Sequence, residues 1–211
     1  MEDKKKVLVL FCGGTIVMEE KQNGSLAVPE SLDSAISILK NVEPRLDSIA
    51  DYDIEFIANI DSTNITPSDW DKILYQIKEN YQNYDGFVIT HGTDTMAYTA
   101  SALSLAIKGL GKPVVLTGSQ IPGEKIESDA RRNLVNAFRV AIMDISGVFI
   151  VFDERIILGS RASKASESKL DAFQSINCED AGEISIEIKI KDWVKTRAQE
   201  PHKIEIRPGF E

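Results

Sequence analysis

The chain has 211 residues, of which 43% are hydrophobic and 27% are charged, and it carries a formal net charge of -9. These values predict one globular domain, with or without a tail, that is long enough to bury a sizeable core. The acidic balance argues against nucleic acids and anionic membrane surfaces as partners. The first apolar run, Val7 to Phe11, is too short for a signal peptide or a membrane span, so we expect a cytoplasmic protein.

Neither the cysteines nor the histidines form a pattern typical of a metal site. Cys12 and Cys178 are far apart in an acidic chain, which favours reduced thiols over a disulfide. We interpret Cys12, at the end of an apolar run, as a small buried residue. His91 and His202 share no ligand spacing, and neither a G-x-G-x-x-G nor a Walker motif occurs. We therefore expect no metal and no cofactor.

Apolar runs and helical periodicity alternate along the chain. Four apolar runs predict buried strands over 5–11, 86–89, 113–117 and 147–152, and the alternating segment 52–60 predicts a further strand. Helices are predicted between them, over 29–39, from Thr66 past Ile77, over 95–107 and over 128–143. Near the end, 155–158 predicts an antiparallel strand, and the alternating segment 183–190 predicts another strand. Charged residues and proline accumulate after about residue 195, which indicates a domain boundary there.

Hydroxyl and carboxylate side chains follow four of the predicted strands. They are Thr15, Asp61-Ser62-Thr63, Thr93-Asp94 and Ser119. The alternation of strands and helices predicts an α/β fold in three layers, with a mostly parallel sheet and helices on both faces. The carboxyl ends of such strands share one edge, where ligands bind, so we expect these groups to meet in one pocket. The alternative explanation is the ordinary preference of Ser, Thr and Asp for turns.

Threonine hydroxyls, an aspartate and a lysine are the candidate chemical groups of this pocket. No nucleophile elbow and no serine–histidine–acid order occurs in the chain. A threonine needs an adjacent base before it can attack. Lys164 is a candidate base if burial holds it near neutral and a carboxylate orients it. The alternative for Lys164 is a solvated surface lysine.

Five motifs together carry a resemblance to a known family. They are Gly13-Gly14-Thr15-Ile16, Asp61-Ser62-Thr63, His91-Gly92-Thr93-Asp94-Thr95, Thr117-Gly118-Ser119-Gln120-Ile121-Pro122 and Gly159-Ser160-Arg161-Ala162-Ser163-Lys164. In order and spacing, over about residues 5–175, they resemble the signature motifs of bacterial and archaeal L-asparaginases, the threonine amidohydrolase family. The resemblance implies a flavodoxin-like N-terminal catalytic domain over residues 1–195. It also implies hydrolysis of L-asparagine to L-aspartate and ammonia, often with minor activity on L-glutamine.

The same resemblance implies roles for individual residues. Thr15 matches the family's nucleophile. Thr93, Asp94 and Lys164 match a second catalytic group, in which the lysine and the aspartate polarise the threonine and a water. Ser62 matches the residue that holds the α-carboxylate of the substrate, and Asp94 also meets the α-ammonium. The rest of the implied substrate-binding set is Gly14, Asp61, Thr63, Gly92 and Ser119, the last through its backbone carbonyl.

Two features depart from the family pattern. The family usually carries a tyrosine ten residues after the first threonine, and this position is Ser25 here. The family also usually has a smaller C-terminal domain that completes the neighbouring subunit's site, and residues 196–211 resemble the charged linker to such a domain. The resemblance thus implies a homo-oligomer and a C-terminal domain as partner. It leaves open a truncated chain, a short homologue or half of a split enzyme.

Three other functions stay open from the sequence. A catalytically weak or inactive module that binds amino acids would fit the serine at position 25. A subunit of a tRNA-dependent amidotransferase is a second alternative, although that relative normally carries an extra N-terminal domain. A flavodoxin-like nucleotide-binding protein is the third. Asparagine and glutamine differ by one methylene, so the preferred substrate is not readable from the pattern.

Overall fold

A computed structural model of the chain describes residues 4–17, 19–20, 26–27, 31–198 and 203–207. Its strands, in chain order, are β1 (Lys6–Phe11), β2 (Glu19–Glu20), β3 (Leu26–Ala27), β4 (Asp51–Phe56), β5 (Gly86–Thr90), β6 (Ile107–Lys108), β7 (Pro113–Thr117), β8 (Gly147–Phe152), β9 (Arg155–Leu158), β10 (Ala162–Lys164), β11 (Phe173–Ser175), β12 (Gly182–Ile184), β13 (Ile188–Ile190) and β14 (Glu205–Ile206). Its α-helices are α1 (Leu32–Val42), α2 (Pro67–Asn80), α3 (Met96–Ala106) and α4 (Ala130–Ala141). Single 3-10 turns cover Thr15–Val17, Leu46–Ser48, Ser62–Asn64 and Gly159–Arg161.

One eight-stranded sheet forms the centre of the molecule, with the strand order β13-β12-β9-β8-β7-β5-β1-β4. The five strands from β4 to β8 in this order run parallel, and β9, β12 and β13 continue the sheet in antiparallel fashion. The parallel part has the flavodoxin-like order 2-1-3-4-5. The predicted α/β fold and the antiparallel strand at Arg155–Leu158 are therefore confirmed.

Helices cover both faces of the sheet, because alternate side chains of its strands point to opposite sides. From β1, Val7, Val9 and Phe11 pack with residues of α1 and α4. Leu8 and Leu10 pack on the other face with residues of α2 and α3. The strands β1, β5, β7 and β8 are thus buried on both faces, which explains their unbroken apolar sequences. At the edge of the sheet, β4 instead alternates between exposed and half-buried residues. This arrangement fixes the three layers.

The helix starts follow the sequence signals. Ser31 precedes α1, and its hydroxyl accepts a hydrogen bond from the Ser34 N–H at 3.2 Å. At α2, the Asp69 carboxylate accepts from the Thr66 N–H at 3.0 Å, and Pro67 occupies the first helical position. At α4, the Ser128 hydroxyl accepts from the Ala130 N–H at 3.0 Å.

The fourth strand ends earlier than the alternation over residues 52–60 predicts. β4 stops at Phe56 instead of Ile60, because the N–H groups of Ile57 and Ala58 both donate to the Phe11 carbonyl, at 2.9 and 3.2 Å. The ladder of single hydrogen bonds is interrupted there. Asp61 is therefore reached only after a further connecting segment, and it does not directly follow a strand as expected.

The alternating segment near the end of the chain is not one strand. It folds into a hairpin of β12 and β13, in which the Ser185 N–H donates to the Glu187 carbonyl at 3.0 Å. Ile186, which alternation places on a buried face, lies at the turn and is 98% exposed. Alternation alone does not reveal a tight turn, because the hairpin keeps the same polar–apolar rhythm in both strands.

Part of the segment predicted to be a charged tail is ordered against the domain. Strand β14 pairs with β6 in antiparallel fashion, and Ile204 next to it is buried. The predicted boundary near residue 195 stays a prediction. Within the described ranges, no helix has both the length and the apolar character needed to cross a bilayer.

Candidate active site

The strand order reverses between β1 and β5, and ligands in open α/β sheets bind at such a switch point. The segments that follow these two strands are in direct contact. Gly14 has a φ of +93°, and a Cβ atom there would lie 2.5 Å from the carbonyl carbon of His91. Only glycine suits this position, because it tolerates the positive φ and has no side chain. Thr15, which follows, is half-buried and begins a 3-10 turn.

The turn that carries Ser62 lies against the second of these segments. Ser62 is 4% exposed, and a Cβ atom on Gly92 would lie 2.5 Å from its Oγ atom. The Thr95 hydroxyl donates to the Ser62 carbonyl at 2.7 Å, which links the turn to the start of α3. Asp61 accepts from the N–H of Thr63 at 3.0 Å and from its hydroxyl at 2.9 Å. A turn that follows no strand directly therefore still reaches the switch point.

Thr93 and Ser119 are both buried at the ends of neighbouring strands β5 and β7. The Thr93 hydroxyl donates to Oε1 of Gln120 at 3.0 Å. The Ser119 hydroxyl donates to the Ile121 carbonyl at 2.7 Å, within its own loop. Thr93 is thereby connected to the loop that contains Ser119.

Lys164 bridges two carboxylates at the exposed side of the cluster. Its Nζ atom lies 2.6 Å from Oδ1 of Asp94 and 2.5 Å from Oε2 of Glu167. The lysine side chain is only 10% exposed, whereas the Asp94 side chain is 50% exposed. Burial works to lower the pKa of Lys164, but the hydrogen bonds to Asp94 and Glu167 outweigh it and hold the pKa above its ordinary value. The lysine is therefore an ammonium in this state, and it is not held near neutral as burial alone would suggest.

The arrangement brings residues that follow β1, β4 and β5 together with Lys164 of β10. Gly14 contacts the His91–Gly92 backbone, Gly92 contacts Ser62, and Asp94 binds Lys164. The two glycine turns, Ser62 and the Asp94–Lys164 ion pair thus meet where the sheet topology favours a ligand. Ser25, the position at which the resembled family has a tyrosine, lies outside the described residues.

A family model described as Asparaginase, N-terminal, matches residues 6–196 of the chain. The chain belongs to the asparaginase family. It is similar to L-asparaginase 1 of Escherichia coli (strain K12), with 43% identity over 188 residues, which are 88% of this chain and 55% of that protein. It is also similar to the L-asparaginase of Thermococcus kodakarensis, with 45% identity over 175 residues, 83% of this chain and 52% of that one.

Solved asparaginase structures share this fold. The crystal structure of L-asparaginase I from Vibrio cholerae matches with a TM-score of 0.83 and 35% identity, covering 97% of this chain and 61% of that one. The chain spans about half the length of the curated relatives that it matches. The resemblance read from the five motifs is thereby confirmed at the level of the family.

His91 of this asparaginase-family chain is a buried residue with a determined tautomer. Its Nδ1 atom lies 2.7 Å from the Gly92 carbonyl, which can only accept, so Nδ1 carries the proton. Nε2 of the neutral ring then accepts from the Thr99 hydroxyl at 2.9 Å, and that hydroxyl accepts from Nε1 of Trp70. Burial lowers the pKa of His91 to about 4. The ring is therefore a neutral support of the Gly92 turn.

The roles implied by the asparaginase motifs did not include three further polar residues at this edge, although Gln120 stands within the fourth motif. Gln120 binds Thr93, Glu167 binds Lys164, and Asp129 accepts from the backbone N–H groups of the Gln120 loop. Glu167 lies three residues after Lys164, a spacing that could have indicated a local ion pair. No spacing in the sequence indicates the hydrogen-bond partners of Gln120 and Asp129, because those partners are set by the fold.

A separate cavity of about 390 Å³ lies at the opposite edge of the sheet, near the starts of β7 and β8. Its lining includes Ile107, Leu110, Gly147 and Trp193, and it contains none of the predicted site residues. In an asparaginase-family sheet of this order the carboxyl edge is the expected ligand edge, so we assign no role in the reaction to this cavity.

Proposed function

We propose that the chain is an asparaginase-type amidohydrolase domain that converts L-asparagine and water to L-aspartate and ammonia. The observation that carries the proposal is the Asp94–Lys164 ion pair next to Thr93, at the switch point where the segment of Thr15 contacts His91 and Gly92. Membership in the asparaginase family supports the same reaction class.

The charges of the cluster suit a zwitterionic amino acid. The half-exposed carboxylate of Asp94 is the proposed partner of the substrate α-ammonium. The hydroxyl of Ser62 and the N–H groups of the neighbouring turns are the proposed donors to the α-carboxylate. Asp61 and Thr63, joined by two hydrogen bonds, are proposed to shape the same side of the site.

In the proposed first step, the Thr15 oxygen attacks the side-chain amide carbon of the substrate. In this proposal, N–H groups of the turns at Thr15 and Thr93 stabilise the negative charge that develops on the amide oxygen. The carbon–nitrogen bond then breaks, and the nitrogen leaves as ammonia after taking up the proton lost by the threonine hydroxyl. The Ser119 carbonyl is the proposed acceptor for the leaving amide. An ester between the substrate acyl group and Thr15 remains.

In the proposed second step, a water oriented by Thr93 attacks the ester. The ester bond to Thr15 breaks, the threonine regains a proton, and L-aspartate is released. The Lys164 ammonium stabilises negative charge near Thr93 and Asp94, and its two carboxylate contacts keep it in place. Glutamine, which is one methylene longer, would be discriminated against by only about 1–3 kcal/mol from pocket fit.

Partners and location complete the proposal. We propose a homo-oligomer whose site is completed by a C-terminal domain, because the chain spans about half the length of its curated relatives. We also propose that the protein acts in the cytoplasm, where both Cys12 and Cys178 would remain free thiols, as they are here.

The test is ammonia release from L-asparagine by the chain alone and by the chain mixed with the C-terminal half of the E. coli relative. Thr15→Ala and Thr93→Ala should abolish release, whereas Thr196→Ala, at an exposed threonine outside the cluster, should leave it unchanged. Release by the chain alone would support a self-sufficient domain, and release only with the added half would support a split or truncated enzyme. The absence of ammonia release both from the chain alone and from the mixture would contradict the proposal.

A binding module is the second candidate, favoured by the serine at position 25 where the family usually has a tyrosine. Isothermal titration of L-asparagine and L-aspartate into the chain distinguishes a binding module from an amidohydrolase. Heat of binding without ammonia release, unaffected by Thr15→Ala, would support the module. The amidotransferase reading would require ammonia release that depends on a partner subunit and tRNA.

A further inference from the structure

The side chain of Gln120 spans the gap between Thr93 and the loop that follows Lys164. Its Oε1 atom accepts from the Thr93 hydroxyl at 3.0 Å. Its Nε2 atom donates to the carbonyl of Lys169 at 3.1 Å and, more weakly, to that of Ser166 at 3.5 Å. One half-buried amide therefore contacts both Thr93 and the loop that follows Lys164.

The hydrogen-bond partners determine the orientation of this amide and of the hydroxyl beyond it. A backbone carbonyl can only accept, so the amide must turn its NH₂ group towards Lys169 and Ser166. Its oxygen then faces Thr93 and can only accept, so the Thr93 hydroxyl must donate to it. The lone pairs of the Thr93 oxygen are left to accept a hydrogen bond from a molecule in the site.

The backbone of Gln120 is fixed from the other side by a buried carboxylate. Asp129 is 2% exposed and accepts from the Gln120 N–H at 3.1 Å and from the Ile121 N–H at 3.1 Å. The Asn133 amide also donates to Asp129, at 2.9 Å. Because the Asp129 carboxylate is held in turn by α4, the Gln120 side chain extends from a fixed point.

The loop at the far end of the amide carries the partner of the lysine. The Ser166 hydroxyl accepts from the Lys169 N–H at 3.1 Å, and Glu167 within the same loop binds Lys164 at 2.5 Å. Holding the Lys169 carbonyl therefore holds the loop that orients the lysine. Thr93 and Lys164 are connected through Gln120 even though they belong to different elements.

We propose that Gln120 is a positioning residue, which makes Thr93 a hydrogen-bond acceptor towards the attacking water and fixes the loop of Glu167 beside Lys164. This inference rests on the proposed function for its catalytic part. Its structural part, the bridge from Thr93 to the Lys169 carbonyl, stands on the contacts alone. A water that donates to Thr93 turns an oxygen lone pair towards the ester, which is the orientation that hydrolysis needs.

The activity test uses Gln120→Glu, Gln120→Ala and the matched control Gln174→Glu, which adds the same charge at an exposed position on β11. Both Gln120 variants should lose about tenfold or more in kcat, with KM for L-asparagine changed less than about threefold, because a positioning contact acts after binding. In Gln120→Glu the deficit should shrink as the pH falls, since only the protonated carboxyl can donate to the Lys169 carbonyl. Wild-type kcat and an unchanged pH profile in both Gln120 variants would overturn the proposal.

A second readout needs no activity. Hydrogen–deuterium exchange of the backbone amides over residues 165–172 should be about tenfold faster in both Gln120 variants than in the wild type, and unchanged in Gln174→Glu. Unchanged exchange in both Gln120 variants would overturn the bridge. Faster exchange in a chain that releases no ammonia would support the bridge while the proposed function fails, so the two failures are distinguishable.

Discussion

The Nε2 atom of His91 lies 2.9 Å from the hydroxyl of Thr99, and the same hydroxyl accepts the indole N–H of Trp70. With Nδ1 bonded to the Gly92 carbonyl, both ring nitrogens of His91 are used. A proton added to Nε2 would place a positive charge in a buried site and would require the Thr99 O–H to turn away from the ring. The imidazole is therefore a neutral support, although it stands two residues before Thr93 in a candidate active site.

The buried His91 should make the protein less stable in mild acid. Burial depresses its pKa in the folded chain to about 4 from an ordinary value of 6.5, so between these values the unfolded chain binds more protons. The contribution of His91 to the free energy of unfolding is fully present above about pH 6.5. It is lost as the pH falls towards 4, and the total loss is roughly 3 kcal/mol. Urea unfolding at a series of pH values should show this loss, and His91→Gln should flatten it. An equal slope in His91→Gln would contradict the assignment.

Glu167 should raise the proton affinity of Lys164. In Glu167→Gln the ammonium of Lys164 loses one of its two carboxylate contacts and keeps only the one to Asp94. The pKa of Lys164 should therefore fall. A lysine whose pKa is raised on folding stabilises the folded chain at pH values below that pKa. The free energy of unfolding of the variant should therefore be about 0.5 kcal/mol lower than that of the wild type at neutral pH. NMR titration of the Lys164 side chain gives the measurement. The matched control is Glu179→Gln, which removes a carboxylate from Lys191 instead; an equal pKa of Lys164 in both variants would refute the prediction.

Gly14→Ala should disrupt the site more than an ordinary glycine replacement. A left-handed conformation costs about 1–2 kcal/mol for a non-glycine residue, and Gly14 adds a clash of the new Cβ atom with the His91 carbonyl carbon. The control is Gly109→Ala, which has a φ of +70° at an exposed position. Thermal unfolding should show a larger loss for Gly14→Ala, together with loss of ammonia release. Equal losses in the two variants would show that the contact with His91 has no effect of its own.

Asp129→Asn should loosen the loop that carries Ser119 and Gln120. The buried carboxylate accepts three hydrogen bonds, from Gln120, Ile121 and Asn133, and an amide would place an NH₂ group against some of these donors. The expected loss is about 1–3 kcal/mol in the free energy of unfolding. Chemical denaturation measures it, with Asp71→Asn at an exposed position of α2 as the control. A loss no larger than that of Asp71→Asn would contradict the role of Asp129.

The fold and most of the candidate site were predictable because they depend on local patterns. Unbroken apolar runs indicated parallel strands such as β5 and β7, and the residues after them had to lie at the carboxyl edge. The turn at Asp61 lies near the other candidate residues, as predicted, because Ser62 contacts Gly92. The prediction that Asp61 directly follows a strand was wrong, since β4 ends at Phe56. The early end depends on two hydrogen bonds to Phe11, a residue of another strand, which periodicity cannot indicate.

By itself, the sequence determined the α/β class, the helix and strand order of the parallel half, and the motifs that indicate the asparaginase family. Only the tertiary structure decided the proton states and orientations that the chemistry needs. The ammonium of Lys164 depends on Asp94, 70 residues away, and the donation from Thr93 depends on Gln120, 27 residues away. Hydrogen-bond direction and pKa are set by the partners within about 3 Å, and the folded chain, not the order of its residues, determines which partners those are.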